Sequence, residues 1–139
     1  MHTAPSEPRV FGRPANIVVA DDDAGMRALV GDALRKDGHS IVEVPDGSKL
    51  LLTLEHDLLW KSAVIDLVVA DIRMPAYSGI EILERLRAKQ VAIPVFLMTA
   101  FGDADTRRHA LMLGALLFDK PFPMAALRSA VLGLLQAED

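Results

Sequence analysis

The sequence predicts an α/β fold in which a (βα)5 chain winds into a five-stranded parallel sheet with helices on both faces. Two observations predict it. Short apolar runs, Ile17 to Ala20, Ile41 to Val44, Leu67 to Ala70, Val95 to Met98 and Leu116 to Phe118, alternate with longer segments of helical period. Three of the five runs are nearly unbroken Val, Ile, Leu and Ala rather than alternating, the pattern of strands buried on both faces of a parallel sheet. Right-handed crossovers favour the flavodoxin-like strand order 2-1-3-4-5, with ligands bound at the carboxyl ends of the strands.

Met1 to Pro14 is polar, carries three prolines and shows no periodicity, so residues 1–14 read as a flexible lead-in and residues 15–139 as one domain. After the first run, Met26, Leu29, Val30, Ala33 and Leu34 form a helical stripe, and Gly38 stands where a helix stops. After the second run, SKLLLTLEHDLLW places leucine on more than one helical face and ends in Trp60. A wider core stripe is the expected reading, with an exposed partner or dimer face as the alternative. Ile80, Leu83 and Leu86 mark the third helix, Ala110 and Leu113 a shorter fourth that Gly114 ends, and Met124, Leu127, Val131 and Leu134 the last.

Composition narrows the function classes. A chain of 139 residues with 51% hydrophobic and 24% charged residues can build one core. Fifteen Lys and Arg against nineteen Asp and Glu give a net charge of -4, the wrong sign for gripping a phosphate backbone, so direct nucleic-acid binding is not expected. The absence of cysteine removes disulfides, thiolate zinc sites and cysteine nucleophiles. No apolar run has the ~20 residues of a membrane span, and the lead-in has no signal-peptide core, so a cytoplasmic location is expected.

The chemistry lies at the carboxyl end of each run. Asp21, Asp22 and Asp23 come after the first, Asp71 after the third, Thr99 after the fourth, and Lys120 after Leu116 to Asp119. Each has a plain reading: Asp22 or Asp23 as a helix cap, Thr99 as a turn hydroxyl, Lys120 as a solvated surface lysine. Their conjunction on one rim is harder to obtain by chance. Carboxylates ~5 Å apart repel by roughly 3 kcal/mol per pair at an effective dielectric of ~20. Converging acids of this kind call for a cation or shifted pKa values, and a hard oxygen site suits Mg2+.

The stretches IVVADDDAGMR, LVVADIRMPAYSGIEIL, VFLMTAFGD and FDKPF resemble the receiver domains of two-component response regulators, over Asn16 to about Ala137. The resemblance implies that Asp71 accepts a phosphoryl group, that Asp21, Asp22, Asp71 and the backbone carbonyl of Arg73 hold Mg2+, that Thr99 is the switch hydroxyl, and that Lys120 pairs with the phosphoryl group. Small Ala100 leaves room for phosphoryl oxygens, Met74 and Pro75 open a tight loop, and the bond before Pro121 is expected to be cis. The implied function is that of a single-domain regulator. It is not a classical enzyme but a phosphoacceptor that catalyses its own phosphorylation and dephosphorylation. A histidine kinase or phosphotransfer protein supplies the phosphate, and a separate protein partner reads the result. A homodimer through the fourth helix, last strand and last helix is the expected self-association.

Several positions depart from that pattern. Leu117 stands where an aromatic switch residue is usual, with Phe118 as a substitute left open, and the Gly114 to Lys120 interval is one residue short. Output is then expected through Met112, Leu116 and Leu132 or through the leucine-rich second helix. Arg73 and Phe101 are expected to flank the attacking water and to shield rather than orient it. Two other readings compete: a haloacid-dehalogenase-type phosphohydrolase, using the D-x-D spacing of Asp21 and Asp23, and a pseudo-receiver that docks without phosphorylation. The first leaves Asp71, Met74 and Pro75 unexplained; the second does not account for the intact set of acids, hydroxyl and lysine.

Overall fold

The computed structural model describes residues 14–60, 65–100 and 102–137. The expectations for the lead-in before Pro14, for Phe101 and for the Trp60 side chain lie outside the described residues. Among the described residues five strands and five helices alternate: β1 (Asn16–Ala20), α1 (Ala24–Lys36), β2 (Ser40–Val44), α2 (Gly47–Trp60), β3 (Leu67–Asp71), α3 (Gly79–Ala88), β4 (Val95–Thr99), α4 (Ala104–Met112), β5 (Leu116–Asp119) and α5 (Met124–Ala137). All pairings are parallel, in the order β2-β1-β3-β4-β5.

The sheet divides two apolar layers. Val18, Ala20, Val68, Ala70, Val95 and Leu97 point to one side, packing on Leu50 and Leu54 of α2, Leu83 and Leu86 of α3 and Ala110 of α4. Their neighbours Ile17, Val19, Leu67, Val69, Phe96 and Met98 point to the other, packing on Val30 and Leu34 of α1 and Leu127, Val131 and Leu135 of α5. This is the two-residue alternation of a strand seen from both faces. The fully buried β3 and β4 are central, whereas β2 and β5 are half-exposed edges. Truncating a side chain such as Leu127, which is fully buried, to alanine would cost about 2 to 5 kcal/mol.

The helix ends have local causes. Asp23 accepts from Met26 N at the start of α1, and Ser78 and Glu81 form a reciprocal capping box at the start of α3. Gly38 and Gly114 adopt φ of 92° and 86°, the left-handed turn that stops α1 and α4. Leu29 leaves the expected α1 stripe: it is 53% exposed, because the buried arc is centred on Val30, Ala33 and Leu34. In α2, Leu50 and Leu54 are buried and Leu51 packs beside them, but Leu52 is exposed, so the core takes only part of the leucine run. Among the described residues no helix is long and apolar enough to cross a membrane.

Candidate functional site

The site lies at the carboxyl ends of β1, β3, β4 and β5. Asp21 directly follows β1; its N–H continues the ladder to the Val44 carbonyl at 3.2 Å, and its side chain is wholly buried. Asp21 Oδ1 accepts from Asp23 N at 2.9 Å, and Oδ2 lies 3.2 Å from Lys120 Nζ. Asp71 ends β3: Oδ2 accepts from Lys120 Nζ at 2.8 Å and Oδ1 from Arg73 N at 3.1 Å. Thr99 ends β4, is 4% exposed, and accepts the Lys120 N–H on its carbonyl at 2.8 Å. The Lys120–Pro121 peptide bond is cis, as the resemblance implies.

Asp21, Asp22 and Asp71 each offer a carboxylate oxygen within 4.8 Å of the others. Asp23 is the acid that turns away, since its side chain caps α1. The D-x-D spacing that suggested a phosphohydrolase thus divides into one site acid and one helix cap. Burial pushes the Asp21 carboxyl up from the ordinary carboxylate range, and the hydrogen bond from Asp23 N and the Lys120 ammonium only partly offset it. For Lys120 burial acts downward, yet the hydrogen bonds and charges of Asp71 and Asp21 outweigh it and hold the ammonium above its usual pKa. Of the three acids the one ammonium therefore pairs with two, Asp71 and Asp21. Such an excess of hard oxygen donors fits a divalent cation of the Mg2+ kind, which takes one or two carboxylates and keeps other positions for water or phosphate.

The approach to these acids is a groove lined by Asp22, Ile72, Arg73, Met74, Pro75 and Ser78. Arg73 joins the site through its backbone N–H on Asp71, and its side chain is exposed. The loop behind it is tightly built. Ala76 has a φ of 73°, uncommon for a residue with a Cβ, and a Cβ at Gly79 would come 2.7 Å from the Asp71 carbonyl.

The structure separates Leu117 from Phe118. Leu117 packs against the layer of α2, α3 and α4, whereas Phe118 belongs to the opposite layer, its ring 5.5 Å from Phe96 and 5.4 Å from Phe122. Phe118 therefore faces away from the layer that Leu117 joins, because one step along a strand reverses the face. Met112 and Leu116 are exposed and Leu132 is half-buried.

Two ties were not singled out from the sequence. Arg107 of α4 forks onto Asp119 at 2.6 and 2.7 Å, joining the helix to the residue before Lys120. Arg27 of α1 donates to the Asp21 carbonyl at 2.7 Å. The available signal for the first was a charged residue at the end of the apolar run LLFD; the second left none in the residue pattern.

Residues 17–132 match the model of the response regulator receiver domain family. The chain is 35% identical over 116 residues to sporulation initiation phosphotransferase F of Bacillus subtilis, covering 83% of this chain and 89% of that protein. It is 36% identical over 108 residues to the transcriptional regulatory protein FixJ of Bradyrhizobium diazoefficiens, covering 77% of this chain but only 50% of FixJ. The receiver domain of the Francisella response regulator 1452 superposes with a TM-score of 0.77 at 25% identity, covering 90% of this chain and 99% of that one. The parallel five-stranded sheet and the family match over most of its length agree: the chain belongs to the response regulator receiver domain family of two-component signalling.

Proposed function

We propose that this protein is a single-domain response regulator, its receiver unit spanning residues 15–139, that accepts a phosphoryl group on Asp71 with Mg2+ and passes the signal to a separate protein or relays the phosphate. The observation that carries this reading is the convergence of Asp71, Asp21 and Asp22 on one another, with Lys120 Nζ 2.8 Å from Asp71 Oδ2 and 3.2 Å from Asp21 Oδ2. The donor is a sensor histidine kinase or histidine phosphotransfer protein acting in the cytoplasm. The likeness to a phosphotransferase along 89% of that relative's length supports the single-domain relay form.

A carboxylate oxygen of Asp71 attacks the phosphorus of the donor's phosphohistidine; the P–N bond breaks and the imidazole leaves as it takes up a proton. Asp21, Asp22, Asp71 and the carbonyl of Arg73 would hold Mg2+, which supplies positive charge at the transferring phosphoryl oxygens. Lys120, already held between Asp71 and Asp21, presents a second positive charge to those oxygens. The buried Thr99, at the neighbouring strand end, is the hydroxyl that turns toward the acyl phosphate. The exposed Met112 and Leu116, together with α5, form the output or homodimer face. Arg73 beside Asp71 shields the acyl phosphate from water, so hydrolysis is slow.

The test is incubation with Mg2+ and acetyl phosphate followed by intact mass. Wild type should gain one phosphoryl group, and Asp71→Asn should gain none. Undiminished labelling of Asp71→Asn would refute the assignment of the acceptor, and no labelling of wild type by acetyl phosphate or a phosphorylated donor would favour the docking-only reading.

A further inference from the structure

Arg27 has no part in the roles just assigned, yet it touches the backbone of the most buried acid. Its Nη1 donates to the Asp21 carbonyl at 2.7 Å, and its Nε lies 3.6 Å from Glu43 Oε1 on β2. The other oxygen of Glu43 accepts from Arg35 Nη1 at 2.8 Å. Two arginines of α1 thus grip one glutamate of the neighbouring strand. Gly31 lies beneath it: a Cβ there would stand 2.7 Å from Glu43 Oε2 and 3.1 Å from Arg35 Nη1. A glycine in mid-helix weakens the helix relative to alanine, so its presence under Glu43 has a cost that the room it leaves can explain.

The Asp21 carbonyl is half of the peptide that leads into Asp22. With the Asp21 N–H held by Val44 and its carbonyl held by Arg27, both ends of the residue are anchored, and the peptide plane that aims Asp22 is set. A guanidinium bond of this kind is charge-assisted and stronger than a neutral one. We propose that Arg27 is a positioning residue for the acid cluster: it fixes the Asp21–Asp22 peptide so that both carboxylates face Asp71, and Glu43, Arg35 and the gap at Gly31 brace it in that pose. This rests on the reading of Asp21, Asp22 and Asp71 as the metal-holding acids.

The experiment compares the full chain with Arg27→Met and Arg27→Lys by two readouts. The first is the Mg2+ dissociation constant from a titration followed by amide resonances of Asp21 to Asp23. The second, without metal, is the exchange rate of the Asp23 amide, which is bonded to Asp21 Oδ1. Arg27→Met should weaken Mg2+ binding by about tenfold, as loss of a group that orients metal ligands does. It should also speed Asp23 exchange by about tenfold relative to global opening. Arg27→Lys, which keeps a charge and a donor but not the fork, should recover about half of each loss. If Arg27→Met does not fold, Arg27→Gln takes its place with the same expected losses. Affinity and Asp23 exchange both unchanged in a variant of lowered thermal stability would overturn the proposal and leave Arg27 as a tie between α1 and β2. Wild type that fails to bind Mg2+ would instead refute the metal reading, and the Asp23 exchange would still decide the role of Arg27.

Discussion

Lys120→Met isolates the charge balance of the acid cluster. In the native protein the ammonium lies 2.8 Å from Asp71 and 3.2 Å from Asp21. At an effective dielectric of ~20 these distances correspond to about 6 and about 5 kcal/mol of attraction, before the cost of dehydrating the ions. The acids, whose oxygens lie within 4.8 Å of one another, repel by at least about 3.5 kcal/mol per pair on the same scale. Removing the lysine leaves buried carboxylates without a counter-charge, which destabilises by about 3 to 5 kcal/mol when one partner of a buried pair is lost. Urea unfolding at pH 7 without divalent metal should show that loss. The same acids, freed of the ammonium, should bind Mg2+ more tightly than in wild type, and metal at ~100 times its dissociation constant contributes ~2.7 kcal/mol. The deficit of the variant should therefore shrink with Mg2+, and Asp21→Asn should cost less in the Lys120→Met background than alone. A loss below ~1 kcal/mol, or one that is the same with and without Mg2+, would show that packing of the lysine stem rather than charge holds this site together.

Asp22→Ala should weaken Mg2+ binding by about tenfold and raise metal-free stability by ~1 kcal/mol, since it deletes one repelling acid that carries no cap; thermal unfolding across a Mg2+ series checks both. Asp37 is held below the ordinary carboxylate range chiefly by the hydrogen-bonded fork of Arg128. Its folded pKa lies under the unfolded value of 3.8, so its contribution is complete above that value and is lost as pH falls through the folded pKa. Asp37→Asn should flatten that part of the acid unfolding limb, and an unaltered limb would refute the pairing. Asp119→Asn should loosen α4, whose one buried side chain is Ala110, and amide exchange across Ala104–Met112 should quicken while α5 is unaffected.

The residue pattern was enough for the fold and for the rim because both rest on local signals. Unbroken apolar runs can be buried on two faces only at the centre of a sheet, and the glycines that stop α1 and α4 act through their own φ angles. Asp21, Asp71, Thr99 and Lys120 stand at the ends of their strands, so parallel winding brings them together whatever the loops do. Tertiary structure decided the rest. Whether Asp22 or Asp23 would cap α1 depended on loop geometry, and it is Asp23 that turns away. Leu117 and Phe118 differ by a single step, and only the pairing of β5 with β4 assigns them to opposite layers. The ties of Arg27 to Asp21 and of Arg107 to Asp119 join elements whose separation along the chain carries no period. Such long, flexible side chains find partners through the packing of helices on the sheet, a property of the folded surface rather than of any segment.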